Sequence, residues 1–153
     1  MNKEIIKKLI DIVGKEKVLV SEEDRICYSF DATGRTGIPD IVVKPKVADD
    51  VSKIVTIAHK EGIPVVPRGA GTGFAGGSIP IHGGIALVMT DMNHLVDLDG
   101  ENMVAVVEPG MVTYNFQQEV EKRGLFYPPD PASLKVCTIG GNVATKAAGL
   151  RSV

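Results

Sequence analysis

The spacing of apolar residues predicts two amphipathic helices in the first half of the chain. In residues 3–13 the apolar side chains recur at helical intervals, and Gly14 is a natural helix end. A second helical face runs through residues 51–58, and Gly62 ends it. Two aspartates precede this second face, where their negative charge suits the helix dipole and needs no catalytic explanation.

Short apolar runs bounded by turn-forming residues predict the strands. The runs at 41–43 and 63–66 flank the second helix, and such a strand–helix–strand unit is expected to have parallel strands. Farther along, the pattern predicts a strand at 85–90, a hairpin of 95–98 and 103–107, and a helix at 113–122.

The composition argues against several classes of partner. The 153 residues are 44% hydrophobic and 24% charged with a formal net charge of −2, which is typical of a soluble globular domain. Because no basic run exceeds two residues, neither nucleic acid nor an anionic membrane is expected to bind. The longest apolar runs have about five residues, whereas a membrane-spanning helix needs ~20. The two cysteines, Cys27 and Cys137, favour a reducing, cytoplasmic setting, and both are expected to be buried.

Glycine is the compositional feature that points to a binding site. Of the 17 glycines, seven lie within residues 69–84, directly after the predicted strand at 63–66. Residues without a Cβ let successive backbone N–H groups converge on one anion. Thr72 and Ser78 add hydroxyl donors, and Arg68 adds a positive charge unless it serves in a structural ion pair. The segment therefore predicts a loop that cradles phosphate groups.

Two nucleotide-binding motifs fit this loop only in part. Residues 71–76 satisfy G-x-G-x-x-G, and Asp91 follows about 20 residues on, as a dinucleotide-binding fold requires. That fold also needs a helix at the third glycine, and the three glycines and one proline of residues 77–84 disfavour one. A P-loop requires a lysine where Gly77 stands. A glycine-rich surface loop without a ligand stays open as the simplest alternative.

Several separated motifs, taken in order, resemble one known family. They are Ile-Pro-Val-Val-Pro-Arg at 63–68, Gly-Ala-Gly-Thr-Gly at 69–73, Gly-Gly-Ser at 76–78, Pro-Pro-Asp-Pro-Ala-Ser at 128–133 and Thr-Ile-Gly-Gly-Asn-Val-Ala at 138–144. The set resembles the FAD-linked oxidases of the vanillyl-alcohol oxidase/PCMH type, and among them the glycolate oxidase D subunit and the FAD-dependent D-lactate dehydrogenases. The resemblance implies an α+β, PCMH-type FAD-binding domain. Residues 1–66 would form a small βαβ subdomain, and residues 67–153 would begin a second, mixed-sheet α+β subdomain that is incomplete at its C-terminus.

The resemblance also implies which residues contact FAD. The pyrophosphate wall would comprise Arg68, Gly69, Ala70, Gly71, Thr72, Gly73, Gly76, Gly77 and Ser78. The segment beside the flavin would supply Pro129, Asp130 and Ser133, and a second region of backbone contact would supply Thr138, Gly140, Gly141 and Asn142. Thr72 stands where some members carry the histidine that attaches FAD covalently, so FAD is expected to bind non-covalently. Neither metal ligands nor catalytic residues are expected in this chain.

By the same resemblance, the chain is expected to be the front part of a flavin-dependent 2-hydroxy-acid dehydrogenase. Members of the family are several times longer, so the substrate-binding and catalytic residues are expected outside this chain, which alone would be inactive. FAD would be its partner, and a small hydroxy acid would bind only to the intact enzyme. Two alternatives stay open: a non-catalytic FAD-binding or electron-transfer subunit, and a folded fragment that binds no FAD. An apolar face left uncovered by truncation would favour self-association.

Overall fold

The apolar face of the first predicted helix forms one side of the main core. A computed structural model describes residues 2–151. Helix α1 (Lys3–Val13) begins at Asn2, whose side chain accepts the N–H of Glu4, and it buries Ile5, Leu9 and Val13. Helix α3 (Ala48–Glu61) packs beside α1, and Gly62 ends it in a left-handed conformation. The sequence predicted both helices because their periodicity and end signals are local.

A four-stranded sheet lies against these helices. Its strands are β1 (Val18–Leu19), β2 (Ile41–Val43), β4 (Ile85–Val88) and β3 (Val65–Arg68), in that spatial order. A short helix, α2 (Glu22–Ile26), lies between β1 and β2 in the chain. Strands β2, β3 and β4 are parallel, as predicted for the strands around α3, and β1 is antiparallel to β2.

The central position of β4 was not predicted. It pairs with β2 on one side and β3 on the other, and all four of its residues are buried. A continuous apolar run is typical of a strand covered on both faces, which is why β4 does not alternate. The sheet thus takes its central strand from beyond residue 66, and the division of the chain at that point stays a prediction.

Two left-handed glycines lead into β4. Gly83 has φ +69° and Gly84 has φ +80°. A Cβ on Gly84 would overlap the carbonyl oxygen of Pro64, which accepts the N–H of Ile85 at 2.8 Å. The backbones before β3 and β4 therefore approach closely at this point, directly before the paired residues Val65 and Ile85.

The second layer is built on the hairpin of β5 (Leu95–Asp99) and β6 (Val104–Val107). Its inner face packs on α4 (Thr113–Glu121), and Phe116 contacts Tyr127 edge-to-face with ring centroids 4.9 Å apart. Both the hairpin and α4 match the prediction. On the outer face, Val96, Val104 and Val106 are exposed. Self-association through such a face stays a prediction.

A fifth helix, α5 (Ile139–Thr145), was not predicted as a helix. It begins at Thr138, whose hydroxyl accepts the N–H of Gly141 at 3.3 Å. Its two adjacent glycines have low helix propensity, so no local signal predicts a helix at this point. Gly140 packs against Pro109, where a Cβ would lie 2.7 Å from the proline Cβ. Tertiary packing therefore stabilises a helix that propensity disfavours.

The two cysteines differ in exposure. Cys137 is buried, as expected, but Cys27 is exposed, so the prediction that both are buried was wrong for Cys27. Cys27 follows the last residue of α2, and its thiol donates to the carbonyl oxygen of Glu23 at 3.4 Å. Among residues 2–151, no helix combines the length and the apolar character that a membrane crossing requires.

Asp91 lies near the ends of three strands, between two lysines. Its carboxylate is 2.5 Å from Lys17 Nζ and 3.1 Å from Lys44 Nζ. Burial raises the pKa of Asp91, but the hydrogen bonds and charges of the two lysines outweigh burial and hold this pKa below its ordinary value. The carboxylate that a dinucleotide fingerprint would place on a ribose therefore serves here in an ion-pair cluster.

Replacing Asp91 with asparagine should lower the free energy of unfolding near neutral pH by about 1 kcal/mol, the size expected for pairs that water still reaches. Because folding lowers the pKa of Asp91, its contribution is complete above the unfolded pKa and fades as the pH falls through the folded pKa. Urea unfolding of both proteins at about pH 7 and about pH 2 tests this, and the difference should shrink at the lower pH. An equal difference at both pH values would contradict the role assigned to Asp91.

Candidate functional site

The glycine-rich loop begins where β3 ends. Residues 69–84 contain only turns, bends and irregular backbone, so the helix required by a dinucleotide-binding fold is absent, as predicted. Gly71 and Gly76 both have φ +73°, a conformation that L side chains rarely adopt. The two glycines therefore allow a backbone path that other residues would strain.

The loop forms one wall of a cavity of about 570 Å³. The opposite wall comes from residues 131–133 and from the segment 137–149. Eleven of the predicted contact residues line this cavity: Gly69, Ala70, Gly71, Thr72, Gly73, Gly77, Ser78, Ser133, Thr138, Gly141 and Asn142. The fold thus brings together three segments that the sequence placed far apart.

A direct contact joins the two walls. A Cβ on Gly69 would overlap the hydroxyl of Thr138, the residue that caps α5. Only glycine permits this approach, because any side chain would push the walls apart. The side chain of Asn142 then donates to Thr113 Oγ1 at 2.7 Å, and Thr113 donates to the carbonyl oxygen of Cys137 at 3.2 Å. This buried network holds the α5 side of the cavity in place.

The backbone of the loop presents a run of unused donors. Within the described residues, the N–H groups of Ala70 to Ala75 have no protein acceptor, and all six of these residues line the cavity. Consecutive N–H groups in glycine-rich turns form concave sites for anions. The arrangement fits a ligand with a diphosphate group, which supplies several acceptor oxygens and negative charge.

Arg68 supports the loop from behind and does not line the cavity. Its side chain is 6% exposed and lies 5.9 Å from the centre of the Tyr28 ring. Its guanidinium donates to the carbonyl oxygen and the hydroxyl of Ser78 at 3.5 and 3.4 Å. Burial lowers the pKa of Arg68, whereas the charge of Asp31 raises it. Arg68 therefore contributes positive charge through the loop and shapes its backbone.

Four other predicted contact residues also lie outside the cavity wall. Gly76 turns the loop, and its N–H is bound to Asp31. Pro129 accepts a hydrogen bond from Gln117 Nε2 at 2.8 Å, and Asp130 pairs with Arg151 at 3.2 Å. The N–H of Gly140 donates to the carbonyl oxygen of Pro109. Their contacts with FAD stay predictions.

The sequence did not reveal that Asp31 belongs to the site. Asp31 is buried, lines the cavity and bonds to Thr33 and Gly76. Burial raises the pKa of Asp31, but the hydrogen bonds from Thr33 and Gly76 and the charge of Arg68 outweigh burial, so this pKa lies below its ordinary value. The lowered pKa favours an ionised carboxylate at Asp31, beside the glycine-rich loop. Among residues 2–151, no cluster of His, Cys, Asp or Glu is placed to hold a metal ion.

Comparison with known sequences gives consistent matches over most or all of the chain. The profile of a family described as FAD binding domain matches residues 39–153. The chain is 42% identical to glycolate oxidase subunit GlcD of Bacillus subtilis (strain 168), with 100% of this chain matched to 33% of that protein. It is 38% identical to a D-lactate dehydrogenase of Anaerostipes hadrus, with 98% of this chain matched to 32% of that protein. The chain therefore spans about a third of the length of these relatives.

Solved structures share the fold. Alkyldihydroxyacetonephosphate synthase superposes with a TM-score of 0.88 at 23% identity, over 97% of this chain and 30% of that one. The p-cresol methylhydroxylase superposes with a TM-score of 0.79 at 22% identity, over 92% of this chain and 28% of that one. At such identities the likeness concerns the fold alone.

Proposed function

The chain belongs to the family of FAD binding domains, and from this premise we propose that it is the FAD-binding part of a flavin-dependent dehydrogenase of 2-hydroxy acids. The α+β, PCMH-type fold and the FAD cofactor, both predicted from the motifs, are confirmed by the family match. The proposal for the substrate class rests on the names of the relatives, a glycolate oxidase subunit and a D-lactate dehydrogenase. The catalytic step itself is proposed to use residues of the remaining two thirds of such a protein.

One observation carries the proposal that the glycine loop binds the pyrophosphate of FAD. The unused N–H groups of Ala70 to Ala75 line a cavity whose far wall comes from a distant part of the chain. Their donors complement the pyrophosphate oxygens, and the buried charge of Arg68 favours an anion at the same place. Thr72 offers a hydroxyl donor there, consistent with non-covalent binding.

The residues of this chain then bind and orient the cofactor. A bound flavin would supply the redox chemistry for oxidation of the hydroxy acid. The contact of Gly69 with Thr138 holds the loop against α5, so both walls contact one ligand. The carboxylate of Asp31 faces the same cavity, but its charge is balanced by hydrogen bonds and by Arg68.

Ligand competition tests this function. Titration of the chain with FAD, followed by flavin fluorescence, should give saturable binding, and ADP should compete because it carries the same diphosphate. FMN and riboflavin, which lack it, should compete at least about 10-fold more weakly, the equivalent of 1.4 kcal/mol. Equal competition by riboflavin would overturn the assignment of the loop to the pyrophosphate.

Gly77 offers a substitution that blocks the ligand and spares the fold. Gly77 lines the cavity, and a Cβ there would meet no protein atom within 4 Å. Gly77→Val should therefore leave the unfolding midpoint unchanged while weakening FAD binding at least about 10-fold, because the added side chain occupies ligand space. The matched control is Gly100→Val in the β5–β6 turn, where a Cβ also meets no atom within 4 Å. Wild-type FAD affinity in the Gly77 variant would place the pyrophosphate elsewhere.

A further inference from the structure

Asp31 connects two segments that are distant in sequence. Its Oδ1 accepts the N–H and the hydroxyl of Thr33 at 2.8 and 2.6 Å. Its Oδ2 accepts the N–H of Gly76 at 3.1 Å. The local pair fixes the carboxylate in a turn, so the second oxygen is held in place for the loop.

A second bond from the same turn reaches the loop. The N–H of Ala32 donates to the carbonyl oxygen of Gly73 at 3.2 Å. The loop backbone is thus held at two points three residues apart, Gly73 and Gly76. The run of free N–H groups that line the cavity ends at Ala75. The next N–H group, that of Gly76, donates to Asp31. Asp31 therefore lies where the run of free donors ends.

The turn that carries Asp31 is itself firmly supported. The N–H of Gly37 donates to the carbonyl oxygen of Ser29 at 2.8 Å, which closes the segment 29–37 at its base. Gly37 packs against the backbone at Pro80, where a Cβ would lie 2.9 Å from the carbonyl oxygen. Because the segment 29–37 is fixed, the position of the Asp31 carboxylate determines where the loop is held at Gly76.

The negative charge of Asp31, beside a proposed site for an anionic diphosphate, needs a structural explanation. Burying a carboxylate is costly unless it is fully hydrogen-bonded, and its partners here are its own turn and the loop. The charge of Arg68, buried behind the loop, acts on it as well. The stability of the ionised carboxylate is therefore linked to one conformation of the loop backbone.

We propose that Asp31 is a positioning residue that holds the glycine loop in its anion-binding conformation by accepting the N–H of Gly76. This inference rests on the proposed role of the loop in binding FAD. It assigns Asp31 no contact with the reacting atoms. Its effect on the cofactor is exerted through Gly76 and the donors that precede it.

The experiment combines two readouts in Asp31→Ala and Asp31→Asn. Amide hydrogen exchange of the ligand-free chain, followed by NMR, reports the Gly76 hydrogen bond without any cofactor. FAD titration reports the consequence. We expect Asp31→Ala to lose protection at Gly76 and to bind FAD about 10- to 100-fold more weakly, because a charged hydrogen bond is lost. Asparagine keeps one acceptor, so it should restore part of the protection and limit the loss to about 3- to 10-fold.

Asp99→Ala is the matched control. The carboxylate of Asp99 also caps its own turn, accepting the N–H groups of Glu101 and Asn102 at 3.1 and 3.0 Å, and it does not line the cavity. This variant should change neither Gly76 protection nor FAD affinity. If Asp31 stabilised only its own turn, Asp31→Ala would likewise change neither Gly76 protection nor FAD affinity.

The outcomes separate the positioning role from the proposed function. Undiminished Gly76 protection in Asp31→Ala would overturn the positioning role, whatever happens to FAD. Tighter FAD binding by the same factor in both variants would also overturn it, because Asp31 would then act only as a repelling charge. If the wild-type chain binds no FAD, the proposed function fails in this chain, and exchange at Gly76 still decides the role of Asp31. Should Asp31→Ala not fold, Asp31→Asn gives the same two readouts.

Discussion

Replacing Gly71 with valine should weaken FAD binding at least about 100-fold while the two sheets stay folded. Gly71 has φ +73°, where a side chain costs roughly 1–2 kcal/mol. A Cβ there would lie 2.5 Å from Arg68 Cζ, and such overlap adds about 1–3 kcal/mol. Because residues 69–78 lie outside the hydrophobic core clusters, the loop should relieve this strain by leaving the conformation that is proposed to bind the diphosphate. Flavin fluorescence titration and far-ultraviolet circular dichroism measure the two effects.

Gly62→Val is the control that separates backbone strain from the site. Gly62 has φ +64° at the end of α3, and a Cβ there would meet no atom within 4 Å. It should lower stability and leave FAD affinity unchanged. If Gly71→Val binds FAD as tightly as the wild type, the loop does not hold the pyrophosphate.

Replacing Gly84 with alanine should lower the free energy of unfolding by about 3–4 kcal/mol. The alanine Cβ would overlap the carbonyl oxygen of Pro64 and lie 2.9 Å from the proline Cβ. Neither group can move without displacing β3 or β4, since Ile85 donates to the same Pro64 oxygen. Urea unfolding followed by circular dichroism gives the free energy and also shows whether the transition stays cooperative.

The neighbouring glycine isolates the cause. Gly83 has a similar left-handed φ of +69°, but a Cβ there would lie 3.1 Å from the Asp40 carboxylate, a side-chain group that can shift by a few tenths of an ångström and still accept the N–H of Gly84. Gly83→Ala should therefore cost only the backbone strain of roughly 1–2 kcal/mol. Equal losses in the two variants would show that the approach of Gly84 to Pro64 is unimportant.

The features that the sequence predicted well are those encoded within a few residues. Helices α1 and α3 combine periodic apolar faces with end signals, and the β5–β6 hairpin has its turn between two apolar runs. The loop at 69–78 was identified because its glycines are clustered, and the resemblance then placed a second wall at 128–142. Most of those residues do meet in one cavity.

The features that were missed depend on contacts between distant residues. Strand order is one, because the apolar run of β4 does not say which strands it will separate. Helix α5 is another, since packing of Gly140 on Pro109 outweighs poor propensity. Asp31 lies in a segment whose composition indicates only a loop, and nothing near it in sequence points to Gly76. The burial of Arg68 beside the Tyr28 ring, 40 positions earlier in the chain, is a third such contact, and its predicted contact with FAD stays a prediction.

The contact between Gly69 and Thr138 also has a kinetic consequence. It joins residues separated by almost half the chain. Closing so long a loop costs conformational entropy, and this cost precedes the favourable contacts that offset it. The cavity is therefore expected to be completed late, after the sheet whose strand β3 leads into Gly69 and the layer that carries Thr138 have each formed. If FAD binds in this cavity, as proposed, it should slow unfolding of the finished domain more than it speeds the early steps of its assembly.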